Sequence, residues 1–157
     1  IEIHPLSSLI ARFPDWKQRA WKLDDLLMQD VPLPEPWVGV PYDTYITNFD
    51  NPGFNPDLVL FAIEGNEFIA QTTLSQALAD PASAWTGITG TRREWRRQGI
   101  AKELKIRCLL KARSLGVQHV FTDNEEGNPM LSLNVQLGFK PFTSYSEFSK
   151  LMSGAGE

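Results

Sequence analysis

Residues 85–101, W-T-G-I-T-G-T-R-R-E-W-R-R-Q-G-I-A, run from a strand-like stretch through a glycine turn into a basic amphipathic helix. No other segment constrains the fold as tightly. A strand that enters a helix in this way belongs to a strand–helix–strand crossover, which is right-handed and returns its second strand parallel to the first. Ile100, Leu104, Cys108, Ala112 and Leu115 form one apolar stripe over 99–114, so this helix must pack on a sheet. Gly116 predicts its end, and 117–122 reads as the returning strand. The turn has a chemistry of its own. Gly99 lets the backbone approach a ligand closely, the free N–H groups of the first helical turn point at it, and the helix dipole favours negative charge there. Arg96 and Arg97 add formal positive charge, so the local physics calls for a phosphate or pyrophosphate.

The other elements follow from period and punctuation. Residues 1–6 alternate as a first strand. Residues 14–30 repeat Trp16, Ala20, Leu23, Leu27 and Met28 at helical spacing. Four prolines within 31–41 forbid a helix there, and 42–50 reads as a second short one. Residues 58–63 and 68–74 are strands joined by the hairpin turn E-G-N-E. Residues 85–91 form the next strand, 129–137 a short helix ended by Gly138, and 139–142 and 145–151 two closing strands. The order β-α-α-β-β-β-α-β-α-β-β is a mixed α/β (α+β) sheet, antiparallel at first and crossing over in parallel near 85–122. In such a sheet a ligand crevice opens at the carboxyl ends of the strands where their order reverses, and Gly99 falls there.

Charge narrows the ligand. The chain of 157 residues carries a net charge of −4, yet residues 92–113 hold nine Lys/Arg against two Asp/Glu. An acidic chain with its positive charge gathered at one glycine loop suits a compact anion better than nucleic acid. Most of Lys102, Lys105, Lys111 and Arg113 are expected on the solvated helix face. No Walker A loop and no G-x-G-x-x-G fingerprint occurs. No apolar run approaches the roughly 18–20 residues of a membrane span. Cys108 is the only cysteine, a small core residue by its place on the stripe; one unpaired cysteine fits a cytoplasmic protein.

The triplet Arg96, Gly99, Ala101 resembles the [Arg/Gln]-x-x-Gly-x-[Gly/Ala] acyl-CoA loop of the GNAT superfamily of N-acyltransferases. About thirty residues on, T-D-N-E-E-G-N-P-M-L-S-L-N-V-Q-L-G-F (122–139) resembles its second signature. The element order extends the likeness over essentially the whole chain. This variant looks closest to mycothiol-synthase-like proteins, several of which carry two GNAT domains in tandem. A chain beginning at Ile1 suits one domain of such a pair, so 1–157 is expected to be a single GNAT domain, alone, in tandem or as a homodimer.

The resemblance implies roles residue by residue. Arg96, Arg97, Gln98, Gly99, Ile100 and Ala101 would wrap the pyrophosphate of acetyl-CoA. The strand bearing Thr89 and Thr91 would pair with the pantetheine arm and hold the thioester carbonyl. Asn124 and Asn128 would bond the pantetheine amides, with turn formation and N-capping before Pro129 as their structural alternatives. No metal is implied. In many GNATs a tyrosine four residues before the glycine of L-G-F protonates the leaving thiolate; here Asn134 stands there, and an amide is a poor acid. Asn134 and Asp30 are the candidates left for catalysis, with His4, Asp43, Glu64, Glu67 and Asp123 further carboxylates and imidazole to weigh as bases. Tyr42, Tyr45 and Trp37 are candidates to border an acceptor pocket. Two readings stand: an N-acetyltransferase acting on a small-molecule amine, and a non-catalytic acyl-CoA-binding domain.

Overall fold

The computed structural model describes residues 1–146 together with Phe148 and Lys150. Strand β1 (Glu2–Pro5) leads into a one-turn helix α1 (Leu6–Leu9) and then α2 (Trp16–Met28). The proline-rich stretch after α2 has no regular structure. A short helix α3 (Tyr42–Tyr45) runs on into a 3-10 turn over Ile46–Asp50. Strands β2 (Val59–Glu64), β3 (Glu67–Gln76) and β4 (Ser83–Thr91) follow. Helix α4 (Ile100–Ser114), strand β5 (His119–Phe121) and helix α5 (Pro129–Gln136) complete the described elements.

The sheet order is β1-β2-β3-β4-β5. The first four strands pair with one another antiparallel, and β5 lies parallel to β4, as a crossover through α4 requires. Both faces are covered. Strand β2 shows how: Leu60 and Ala62 point into the cluster that receives Ile100, Leu104, Cys108 and Ala112 of α4. Val59, Phe61 and Ile63 point the other way, into the cluster built from Leu6, Leu9, Phe13 and the Trp16, Ala20, Leu23, Leu27 face of α2. A strand buried on both faces reads as an unbroken apolar run, which V-L-F-A-I is.

The sheet ends earlier than its sequence suggests. Residues 139–142 are not a strand, and among the described residues none follows β5. Phe142 lies mostly exposed, with only an edge contact to Phe121. The expected strand 145–151 falls in part outside the described residues; those described within it form none. The α4 stripe needs one correction too. Leu115, at the helix's C-terminal boundary, is exposed, whereas Lys105 is buried to 2% exposure.

Candidate functional site

The glycine turn is built from two left-handed residues. Gly99, the N-cap of α4, has φ 78°, and a Cβ placed there would meet nothing within 4 Å. Arg97 has φ 60°, the one non-glycine residue with positive φ among those described. A non-glycine residue in this region costs on the order of 1 kcal/mol or more and persists where its surroundings enforce it. Such alternation turns successive backbone N–H groups to one side, forming an anion-binding concavity. Helix α4 has no side-chain cap, so the donors of its first turn are left for a ligand or water.

The Arg96 side chain serves the scaffold. Its Nε donates to the carbonyl of Thr91 at 2.9 Å, and its guanidinium pairs with Asp30 beyond the end of α2. Arg93 pairs with the same carboxylate. Hydrogen bonds from Arg93 and Arg96 hold the Asp30 pKa at about 2. Asp30 is therefore a clamp between α2 and the loop, and a carboxylate held so firmly ionised makes a poor proton acceptor.

Below the turn, β4 and β5 part. Their parallel pairing covers Ser83–Trp85 against His119–Phe121 and stops there. One step further the Thr86 hydroxyl still reaches Thr122, donating at 2.6 Å. From Gly87 onward, the β4 edge facing away from β3 has no partner strand among the described residues. A bulge falls at the same point: Leu74 pairs with Thr86 and Thr72 with Thr89, so two residues of β4 oppose one of β3. Bulges re-aim backbone groups and recur beside active sites. The gap is a cleft of about 830 Å³ floored by 86–91 of β4, closed by the first turn of α4 and walled by 122–124 and α5. Leu27 and Met28 of α2 border it from the other side. Gly90 permits that approach, since a Cβ there would lie 3.1 Å from a Leu27 methyl carbon. Beside the cleft, the buried hydroxyl of Thr91 has no hydrogen-bond partner among the described residues. Such a group costs about 1–3 kcal/mol until a ligand or water satisfies it.

No family model matches the sequence, and no curated protein matches it. Solved structures do. The structure of AAC(6')-Iy with the bisubstrate analogue CoA-S-monomethyl-acetylneamine superposes with TM-score 0.65 at 14% identity, covering 96% of this chain and 98% of that one. The ribosomal-protein-S18-alanine N-acetyltransferase of Escherichia coli gives TM-score 0.66 at 15% identity, covering 90% and 79%. A chain of the NatC complex bound to Gag peptide and CoA gives 0.67 at 19%, covering 90% and 86%. The chain has the GNAT fold. At such identities the likeness concerns fold alone and does not reach the mycothiol-synthase branch.

Within this GNAT fold most of the expected coenzyme residues meet in one place. Thr89, Thr91, Arg96, Arg97, Gly99, Ile100, Ala101, Asn124 and Asn128 all line the cleft. Gln98 does not; its side chain is exposed to solvent. Asn128 also caps α5, its Oδ1 accepting from the Met130 N–H at 2.9 Å. Asn134 is 1% exposed and stands behind the cleft wall. His4 bonds Glu2 on the outer strand β1, Glu64 pairs with the N-terminus, Glu67 pairs with Arg92, and Asp43 is an exposed first-turn residue of α3. Of the further base candidates only Asp123 borders the cleft. Tyr45 packs into the α2-side core, and Tyr42 meets Trp21 edge-on. Trp37 donates its Nε1–H to Asp25 at 2.7 Å in a separate hollow of about 470 Å³.

Sequence reasoning passed over one residue that lines the site and one carboxylate outside its lining, behind the strand that floors it. Lys105, one of four basic residues of which most are expected on the solvated face of α4, lines the cleft. Its Nζ donates to Asn134 Oδ1, and Asn134 Nδ2 donates in turn to Asn124 Oδ1 at 2.6 Å. Burial lowers the Lys105 pKa to about 8. The signal was available, because Ala101, Lys105, Cys108 and Ala112 share one helical row. The other residue is Asp24, half-buried on α2. Gln71 Nε2 donates to it at 2.7 Å, and Gln71 lies opposite Gly90 in the β3–β4 register. Burial raises its pKa, the Gln71 hydrogen bond opposes that, and the neighbouring Asp25 adds to it. Asp24 makes no ion pair among the described residues. The described residues contain no group of three or more His, Cys, Asp or Glu placed to hold a metal ion, and no helix long and apolar enough to cross a membrane.

Proposed function

We propose that the chain is an acetyl-CoA-dependent N-acetyltransferase acting on the amine of a small molecule. The observation that carries this reading is the parting of β4 from β5 directly below the left-handed Gly99 turn. It creates a groove with an anion-binding cradle at one end and a free strand edge along its floor. The fit to an acyl-CoA rests on features of the groove itself. The Gly99 cradle is open, the first-turn N–H groups of α4 suit a pyrophosphate, and the β4 edge suits an extended arm bearing amides that adds on like a strand. The CoA and CoA-analogue complexes among the structurally similar proteins support the same ligand.

When bound, acetyl-CoA supplies an activated acyl carbon that an amine can attack directly. The chain's residues do the rest. Backbone N–H groups at the β4 bulge are placed to stabilise charge developing on the acyl oxygen. Asp24, bonded to Gln71 opposite Gly90 of the cleft floor and without an ion pair among the described residues, is the carboxylate suited to take the proton from the incoming amine through a water, a task for which Asp30 is unsuited. The surplus negative charge outside 92–113 favours a cationic acceptor.

The test is a thermal-shift and thiol-release assay with acetyl-CoA and a panel of amines. Acetyl-CoA should raise the melting temperature, and at least one amine should release free thiol. A shift without release on any amine would leave a binding domain; no shift with any acyl-CoA would overturn the reading. In Gly99→Glu the new side chain fills the cradle and carries the wrong charge, so the shift should vanish with the fold intact. Unchanged coenzyme affinity in that variant would show the cradle to be misassigned.

A further inference from the structure

Lys105 is a buried cation that makes no ion pair among the described residues. Its ammonium makes one hydrogen bond, to Asn134 Oδ1, and stands 5.4 Å from the centre of the Phe139 ring. An ammonium has three N–H donors, so two are left without an acceptor among the described residues. Burying a charge this incompletely matched is unfavourable, and structures retain such groups where a ligand completes them. The surroundings point to that ligand. Lys105 shares the cleft with the free edge of β4. It is also bonded to Asn134, the residue four before Gly138, where the proton-donating tyrosine of many GNATs would stand. The amide cannot donate a proton usefully, but its neighbour can.

We propose that Lys105 is the proton donor to the departing coenzyme A thiolate, with Asn134 as the residue that positions it. The inference rests on the acetyltransferase reading above. In the step, the amine nitrogen bonds to the acyl carbon, the C–S bond breaks, and its electron pair goes to sulfur. Lys105 Nζ passes one proton to that sulfur and is left a neutral amine. The proton shed by the attacking neutral amine reaches solvent, and solvent returns one to Lys105, so the step releases no net proton; an acceptor that arrives as an ammonium sheds one more, which is released. Asn134 fixes the geometry, since the charged ammonium has donors and no acceptor and must therefore face its Oδ1. The opposite end of that amide then points its Nδ2 to Asn124. A donor of pKa about 8 is well matched to an alkyl thiol, whose pKa is about 8.5. Cys108, the nearest titratable neighbour, does not compete: burial pushes its pKa up to about 12, so its thiol stays neutral. The other charged side chains lining the cleft are Asp30, Asp123, Arg96, Arg97 and Lys102.

The experiment compares wild type with Lys105→Met, using acetyl-CoA and an acetyl thioester of an acidic aryl thiol, which leaves without help. With acetyl-CoA the variant should turn over about 100-fold slower. With the aryl thioester the deficit should shrink to a few-fold. A second readout needs no turnover: the ultraviolet absorbance of bound coenzyme A reports ionisation of its thiol. That ionisation should move to higher pH in the variant, because the adjacent positive charge is gone. An equal loss with both donors, or an unmoved thiol ionisation, would overturn the proposal. Lys105→Gln, which can still donate to Asn134, gives the same comparison if the methionine variant folds poorly. Wild type that neither binds acyl-CoA nor releases thiol would sink the acetyltransferase reading, and this inference with it. Full activity in the variant beside an active wild type would sink this inference alone.

Discussion

A carboxylate can act as a base near neutral pH only where cations do not hold it ionised, and Asp24 and Asp30 differ on that point. Asp30 sits between two arginines that keep its pKa near 2. Asp24 has an amide for a partner, and burial raises its pKa. Asp24→Asn should therefore lower turnover at pH 7 by about 100-fold. The deficit should narrow as pH rises, because the acceptor amine then loses its proton without help. Coenzyme affinity should stay at the wild-type value. Rate–pH profiles of both proteins check this, and coincident profiles would remove Asp24 from the mechanism. Neither Asp24 nor Lys105 stood out in the sequence. Asp24 is one of two adjacent aspartates on an amphipathic helix, and its contact with Gln71 spans a distance in sequence that no local pattern encodes. Lys105 carries a charge that binary patterning assigns to solvent.

At the scale of elements, the Asp30 clamp joins the end of α2 to the loop that precedes α4. Arg96 then ties the same loop to the last residue of β4. The folded pKa of Asp30 lies below its unfolded value of about 3.9, so its contribution to stability is complete above about pH 4 and is lost as pH falls toward 2. In Asp30→Asn, stability should fall less steeply across that window than in wild type. The loop should also be less well set, weakening acyl-CoA binding about three- to ten-fold at neutral pH, as expected for a partly exposed cluster of ion pairs. Acid titrations followed by circular dichroism, with coenzyme binding by calorimetry, measure both. The elements that this clamp joins were legible in the sequence. The 3.6-residue period marked α2 and α4, and glycines marked the end of α4 and of α5. The apolar runs on either side of E-G-N-E were equally plain as strands. The expected strand 139–142 was not reliable, because so short a segment becomes a strand only if a neighbour offers an edge. The site was legible as far as its backbone: the Gly99 turn and the strand beneath it. The Arg96 guanidinium read as a ligand charge and proved to be part of the scaffold.

At the scale of the whole molecule, charge is unevenly divided along the chain. Residues 92–113 hold nine basic and two acidic side chains, while the rest of the chain holds six and seventeen. Such an arrangement draws a polyanion toward one region and a cation toward others, and both attractions weaken as salt screens them. The Debye length falls from about 30 Å at 0.01 M to about 8 Å at 0.15 M, which removes steering over the molecule and spares contacts within the cradle. Raising ionic strength across that range should therefore increase KM for acetyl-CoA several-fold. Acetyl-pantetheine, which lacks the phosphates, should bind more weakly throughout and respond little to salt. If the acceptor is a cationic amine, its KM should rise with salt as well, whereas a neutral acceptor's should not. Steady-state kinetics with the two donors, crossed with charged and neutral amines, separate these effects. An acetyl-CoA KM as flat as that of acetyl-pantetheine would mean that the basic segment serves only as solvated surface, leaving recognition to the backbone of the Gly99 turn.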